Sequence, residues 1–209
     1  MTRILGAEEP ASYLLTALAV LRRSGVVALP TETVYGLAAS LLNSLGVDRI
    51  FALKGRPDDR PLPVQFFSLE AAQRFGFRFS DGACRLARTF WPGPLTLVLE
   101  RPKTIPEWFA PGADGIAVRV PGHPVALALL RGFGNPLAAT SANPSGEPPA
   151  LDARTIAKAF PEAEDLLILD GGPSPGGEAS NVVDGRRGNP SLRRPGPISW
   201  ESIEEAWKS

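Results

Sequence analysis

The stretch VVALPTETVYGLA, residues 26–38, joins two kinds of sequence that together decide the fold. Val26–Pro30 is a short apolar run ended by proline and reads as a buried strand. Thr31, Glu32 and Thr33 follow at once, placing two hydroxyls and a carboxylate at the strand's end. Such groups can grip the ammonium and hydroxyl of a small polar ligand, or they can close a turn or cap a helix by themselves. The segment alone leaves both readings open.

The same pattern recurs along the chain. Strands are expected at Leu62–Phe67, Leu95–Leu99, Ile116–Val120, Leu137–Thr140 and Leu166–Asp170. Helical periodicity covers Pro10–Ser24, with Gly25 as its C-cap, and Leu45–Lys54, Leu69–Phe75, Asp81–Phe90, Pro124–Arg131, Asp152–Phe160 and Trp200–Trp207. Apolar strands interleaved with helices indicate an α/β domain whose sheet is covered on at least one face. The 209 residues fit one domain, 1–209, better than two. Strands lead into KGRPDDRP, WPGP, RVPGHP, TSANPSGEPP and DGGPSPGGEASN, loops whose polar content suits one shared crevice.

Composition narrows the chemistry. The formal charge is zero, so no bulk basic field announces nucleic acid or membrane, and anion recognition has to be local. One cysteine and one histidine exclude a disulfide framework and a cysteine- or histidine-rich metal site, so no metal ligands are assigned. YLLTALAVL has the wrong length and flanks for a leader or a span, and the chain reads as cytoplasmic. No P-loop is present, no GxGxxG follows a strand, and no nucleophile is paired with a nearby histidine, which leaves positioning and charge stabilisation as mechanisms.

Individual residues then stand out. Lys54 and Arg56 flank Gly55, where the backbone could approach a phosphate, although Asp58 and Asp59 could equally pair with Arg56 and Arg60 on a turn. Arg119 sits among apolar residues in a strand, so it either pairs with an acid or faces a pocket and takes a carboxylate or phosphate. His123 precedes a helix and reads first as a cap. Thr140–Gly146, TSANPSG, concentrates hydroxyls and an amide that suit phosphate or ribose oxygens, or an Asx turn satisfied within itself. Of Arg193 and Arg194, strand alternation sends only one to a given side.

Taken in order, PTETVYGLA (30–38), KGRPDDRPLP (54–63), WPGPLTLVL (91–99), AVRVPGHP (117–124), ATSANPSG (139–146) and RPG (194–196) resemble the YrdC/Sua5 family, the threonylcarbamoyl-adenylate synthases of tRNA modification. The resemblance implies a YrdC-like domain with a twisted mixed sheet around a large concave cavity. It also implies an adenylate made from L-threonine, bicarbonate and ATP with release of pyrophosphate, for N6-threonylcarbamoyladenosine in tRNA. Carried over, Lys54, Arg56, Ser141, Asn143 and Arg194 would bind ATP, with Lys54 and Arg56 stabilising charge in the reaction. Thr31, Arg119, Thr140 and Ser180 would surround threonine. Mg2+ is expected, held mainly through ATP phosphates. The implied partners are transferase proteins downstream, with weak or transient tRNA contact and no membrane.

Two departures from the family's pattern are visible. Asn181 follows Ser180 where threonine is usual, and the chain ends soon after Arg194 without the C-terminal domain of longer members. The rival reading, an RNA-binding or ribosome-associated module of the same fold, meets zero net charge and no stacking aromatics beside the arginines. Carbamoyl transfer in hydrogenase maturation belongs to longer chains with zinc fingers, which a single cysteine excludes.

Overall fold

Strand β2 (Val26–Leu29) is buried along its whole length, and its alternation explains the layering. Val26 and Ala28 face one apolar core, while Val27 and Leu29 face a second on the opposite side. A strand with no solvated face has to be covered twice, so the sheet carries helices on both faces. The computed structural model describes residues 3–6, 10–55 and 61–209.

In chain order the remaining elements are β1 (Arg3–Gly6), α1 (Pro10–Arg22), β3 (Gly36–Ser40), α2 (Ser44–Lys54), β4 (Val64–Gln65), α3 (Leu69–Phe75), α4 (Asp81–Phe90), β5 (Leu95–Glu100), β6 (Gly115–Arg119) and α5 (Pro124–Phe133). They continue with β7 (Leu137–Ser141), α6 (Ala153–Ala159), β8 (Leu166–Asp170), β9 (Asn181–Asp184), β10 (Ser191–Arg194) and α7 (Trp200–Lys208). Among the described residues ten strands form one mixed sheet, ordered β1-β8-β2-β3-β7-β4-β6-β5-β9-β10. β8 pairs parallel with β1 and β2, β4 with β6, and β5 with β9. The other pairings are antiparallel.

The expected α/β architecture is therefore present, with differences that have local causes. β1, β3 and β9 were not among the expected strands. β3 is GLAAS, whose small residues carry little β-propensity but pack in full burial against β2 and β7. The run 62–67 keeps only two ladder residues in β4, because Pro61 and Pro63 lack the N–H that a longer ladder needs. α1 stops at Arg22, and Ser24 rather than Gly25 takes the left-handed φ of 64°. Gly55 closes α2 at φ 57°, its N–H reaching the carbonyls of Phe51 and Ala52. The glycine thus has a structural reason of its own as a helix C-cap.

Candidate functional site

A cavity of about 380 Å³ lies across β3, β7, β4, β6 and β5 and extends to Ser180 and Arg194 at the sheet's far side. Its wall includes Thr31, Thr33, Gln65, Thr96, Arg119, Thr140, Ser141, Ser180 and Arg194. Six residues singled out from sequence, Thr31, Arg119, Thr140, Ser141, Ser180 and Arg194, are brought together here. Arg56 lies outside the described residues, as do Asp58, Asp59 and Arg60.

Arg119 pairs with an acid and also lines the cavity. Its Nη2 donates to Glu32 Oε1 at 2.6 Å and to Thr33 Oγ1 at 3.0 Å, while Nε donates to the Gly93 carbonyl at 3.1 Å. Glu32 Oε2 in turn accepts from the Gly122 N–H at 2.7 Å. The guanidinium is therefore fixed by an ion pair and two further acceptors. Nη1 is left without a partner among the described residues. Held that way, Arg119 presents a cation to the cavity with little rotamer freedom to lose.

The threonines extend this network. Thr31 Oγ1 donates to the Val34 carbonyl at 2.6 Å and lies 2.8 Å from Thr33 Oγ1. With its own proton spent on Val34, Thr31 accepts from Thr33, and Thr33 accepts from Arg119. Thr31 thus closes its own turn as well as lining the cavity wall. The Ser174 hydroxyl donates to the Thr31 carbonyl at 2.9 Å, and Gly177 N–H to the Thr33 carbonyl at 2.9 Å, pinning this turn from the glycine-rich loop. Tyr35 holds the same loop through its phenol, which donates to the Gly172 carbonyl at 2.7 Å. Burial pushes that phenol up to about 12.

Across the cavity the Ser180 hydroxyl sits 2.8 Å from Thr96 Oγ1. Arg194 donates through Nε and Nη2 to the Ser180 carbonyl at 3.1 and 2.8 Å, and through Nη2 to Ser180 Oγ at 3.2 Å. Among the described residues no carboxylate pairs with Arg194. It is exposed, yet desolvation by the surrounding wall, followed by the charge of Arg119, holds its guanidinium below its ordinary value. A bulge between Leu192 and Arg194 divides the arginine pair, and Arg193 turns instead to Asp184 at 2.9 Å. The hydrogen bonds of Arg186, then those of Arg193, keep the Asp184 carboxyl far below the usual range.

Lys54 stands behind the wall. Its ammonium donates to the Ser141 carbonyl at 2.7 Å and to the carbonyl and Oδ1 of Asn143 at 2.8 and 3.2 Å, and the residue is only 5% exposed. Asn143 Nδ2 is spent on the carbonyls of Pro144 and Glu147. Asn143 is thus satisfied within the protein, though by donating Nδ2 and accepting from Lys54 rather than by an Asx turn, whereas the hydroxyls of Thr140 and Ser141 have no partner among the described residues. His123 caps α5, its Nδ1 accepting from the Val125 N–H at 3.2 Å. Desolvation lowers its pKa more than Glu32 raises it, which keeps the ring in the neutral form the cap requires.

Sequence reasoning passed over Gln65 and Thr96. Gln65 is 7% exposed, and its Oε1 is buried with no partner among the described residues. A buried acceptor left unmatched on a cavity wall is a group waiting for a donor. The available signal was a single polar residue inside each apolar run, LPVQFF and LTLVL, the same signal that exposed Arg119.

Two guanidiniums on a hydroxyl-rich wall give this cavity the chemistry of a binder of small polar anions. Residues 19–196 match the Sua5/YciO/YrdC family model, described as "Telomere recombination", and the chain belongs to that family. It is 42% identical to the threonylcarbamoyl-AMP synthase of Pyrococcus abyssi over 90% of this chain and 55% of that one. With the Bacillus subtilis threonylcarbamoyl-AMP synthase it shares 41% identity over 98% of this chain and 58% of that one. The crystal structure of P. abyssi Sua5 complexed with L-threonine superimposes with a TM-score of 0.90 at 39% identity, covering 99% of this chain and 60% of that one. E. coli YciO, at 24% identity and a TM-score of 0.85 over 97% of this chain and 98% of its own, shares the fold. The chain thus spans a little over half the length of the P. abyssi and B. subtilis relatives.

Proposed function

We propose that this chain synthesises L-threonylcarbamoyladenylate and pyrophosphate from L-threonine, bicarbonate and ATP. The observation that carries the reading is one cavity in which Arg119, braced by Glu32, faces Arg194 across open hydroxyls, in a fold close to a threonine-bound relative. In this reading Arg119 Nη1 takes the threonine carboxylate, and Gln65 Oε1 accepts from the ammonium or hydroxyl. Thr140 and Ser180 complete the threonine half. The neutral threonine amine adds to bicarbonate with loss of water, or to carbon dioxide with loss of a proton, giving the N-carboxylate; its carbamate oxygen attacks the α-phosphorus, and pyrophosphate leaves. Arg194, Ser141 and Arg56 hold the nucleotide. Lys54 places its positive charge beneath the loop that meets it, where developing negative charge is stabilised more than the ground state.

Mg2+ belongs to this proposal as the counter-ion of the ATP phosphates. Among the described residues no group of three carboxylate, histidine or cysteine side chains could cage it, and Glu32 is committed to Arg119 and Gly122. Ligation through phosphate oxygens fits that donor set. No helix of the described residues is long and apolar enough to cross a membrane. Transferase partners and brief tRNA contact remain part of the reading.

The test is pyrophosphate release with threonine, bicarbonate or ATP omitted one at a time. Release should require all three, and release indifferent to threonine would end the proposal. Gln65→Leu separates binding from folding at the same site. Removing an unmatched buried acceptor should stabilise the fold by about 1 kcal/mol, while the threonine KM rises roughly tenfold. A destabilised variant with an unchanged KM would show that Gln65 already has a partner.

A further inference from the structure

We infer that Asn181 is a positioning residue for the nucleotide half of the cavity, acting through the segment Arg194–Ile198. The inference rests on the reading of the cavity as an ATP and threonine site. Asn181 is 2% exposed, and its backbone N–H is spent on the Pro94 carbonyl at 3.0 Å. Its side-chain amide turns the other way. Oδ1 accepts from the Ile198 N–H and Nδ2 donates to the Ile198 carbonyl, each at 2.9 Å. One side chain thus pairs both backbone groups of one residue, as a strand neighbour would.

The sequence between these anchors makes that pairing consequential. Arg194 is followed by Pro195, Gly196 and Pro197, and neither proline has an N–H to tie the turn down. Gly196 lies flat on the backbone it crosses, since a Cβ there would come within 2.4 Å of Asn181 N and 2.6 Å of the Ala179 carbonyl. The two ends of the turn close on adjacent residues, Arg194 on the Ser180 carbonyl and Ile198 on the Asn181 amide. Releasing Ile198 frees the far end of the turn that aims Arg194. Ser180 keeps an independent tether in Thr96, so the threonine half should be spared.

Steady-state pyrophosphate release by Asn181→Ala, measured below its melting temperature, tests this. The ATP KM should rise roughly tenfold, in the range a displaced positioning group produces, with kcat and the threonine KM within about twofold of wild type. Asn181→Thr keeps one oxygen, able to serve only one of the two backbone groups, and should give an intermediate ATP KM. If the alanine variant fails to fold, the threonine variant decides on the same criteria. A lowered melting temperature with an unmoved ATP KM, or equal rises in both KM values, overturns the inference. Calorimetric titration with ATP distinguishes the two levels of the argument. Wild type that binds ATP yet releases no pyrophosphate on adding threonine overturns the proposed reaction, while tenfold weaker ATP binding by Asn181→Ala still upholds the role of Asn181.

Discussion

Lys54→Ala is expected to lower threonine-dependent pyrophosphate release by about 10²–10³-fold, the loss that follows removal of one charge-stabilising donor. Two effects converge on this position. The ammonium lies against the Ser141–Asn143 turn, and it satisfies three acceptors there. Losing it removes that charge and leaves buried oxygens unpaired, at about 1–3 kcal/mol for each group left so. Lys54→Met keeps the stem but removes both the charge and the three donated hydrogen bonds. A fall in kcat at saturating ATP identifies charge stabilisation in the transition state, whereas a raised ATP KM with kcat preserved identifies loop anchoring. Turnover by Lys54→Met within twofold of wild type would remove Lys54 from the mechanism.

Arg119→Ala should raise the threonine KM by roughly 10–100-fold, the effect of one lost charge-assisted hydrogen bond. It should also destabilise the fold by about 3 kcal/mol, because the ion pair is largely buried and Glu32 would lose its cationic partner, keeping only the Gly122 N–H. Pairing Arg119→Ala with Glu32→Ala separates the two consequences. The double variant should regain stability in denaturant titration while its threonine KM stays high. Recovery of the KM along with stability would reduce Arg119 to a neutraliser of Glu32.

The helices and most apolar strands were legible because each carries its own period and caps. Asn43, Ser68, Ser80, Asp152 and Ser199 all accept from the first turns that they precede. β1 and β3 were not: β1 finds its ladder on the distant β8, and β3, a run of small residues, gains its order from packing between β2 and β7. The cavity was legible wherever a cation or a cluster of hydroxyls broke an apolar pattern, as at Arg119, Thr140 and Arg194. What sequence could not supply was the division of labour. Only coordinates show that Thr31 spends its proton on Val34, that Lys54 and Asn143 stand behind the wall, and that Glu32 braces Arg119. Asn181, visible from sequence as a departure from the family's usual threonine, acquires its meaning from Ile198.

The strand order carries a consequence for how the molecule forms. β2 pairs with β8 through Val26 and Leu166, and β5 with β9 through Leu95 and Asn181. The cavity wall is thus assembled from segments drawn from nearly the whole length of the described chain. Loop closure of that span is paid before any ligand contact rewards it, so folding should be slow and the cavity should mature late. Recovery of threonine binding after dilution from denaturant would then serve as a clock for the last step of chain assembly.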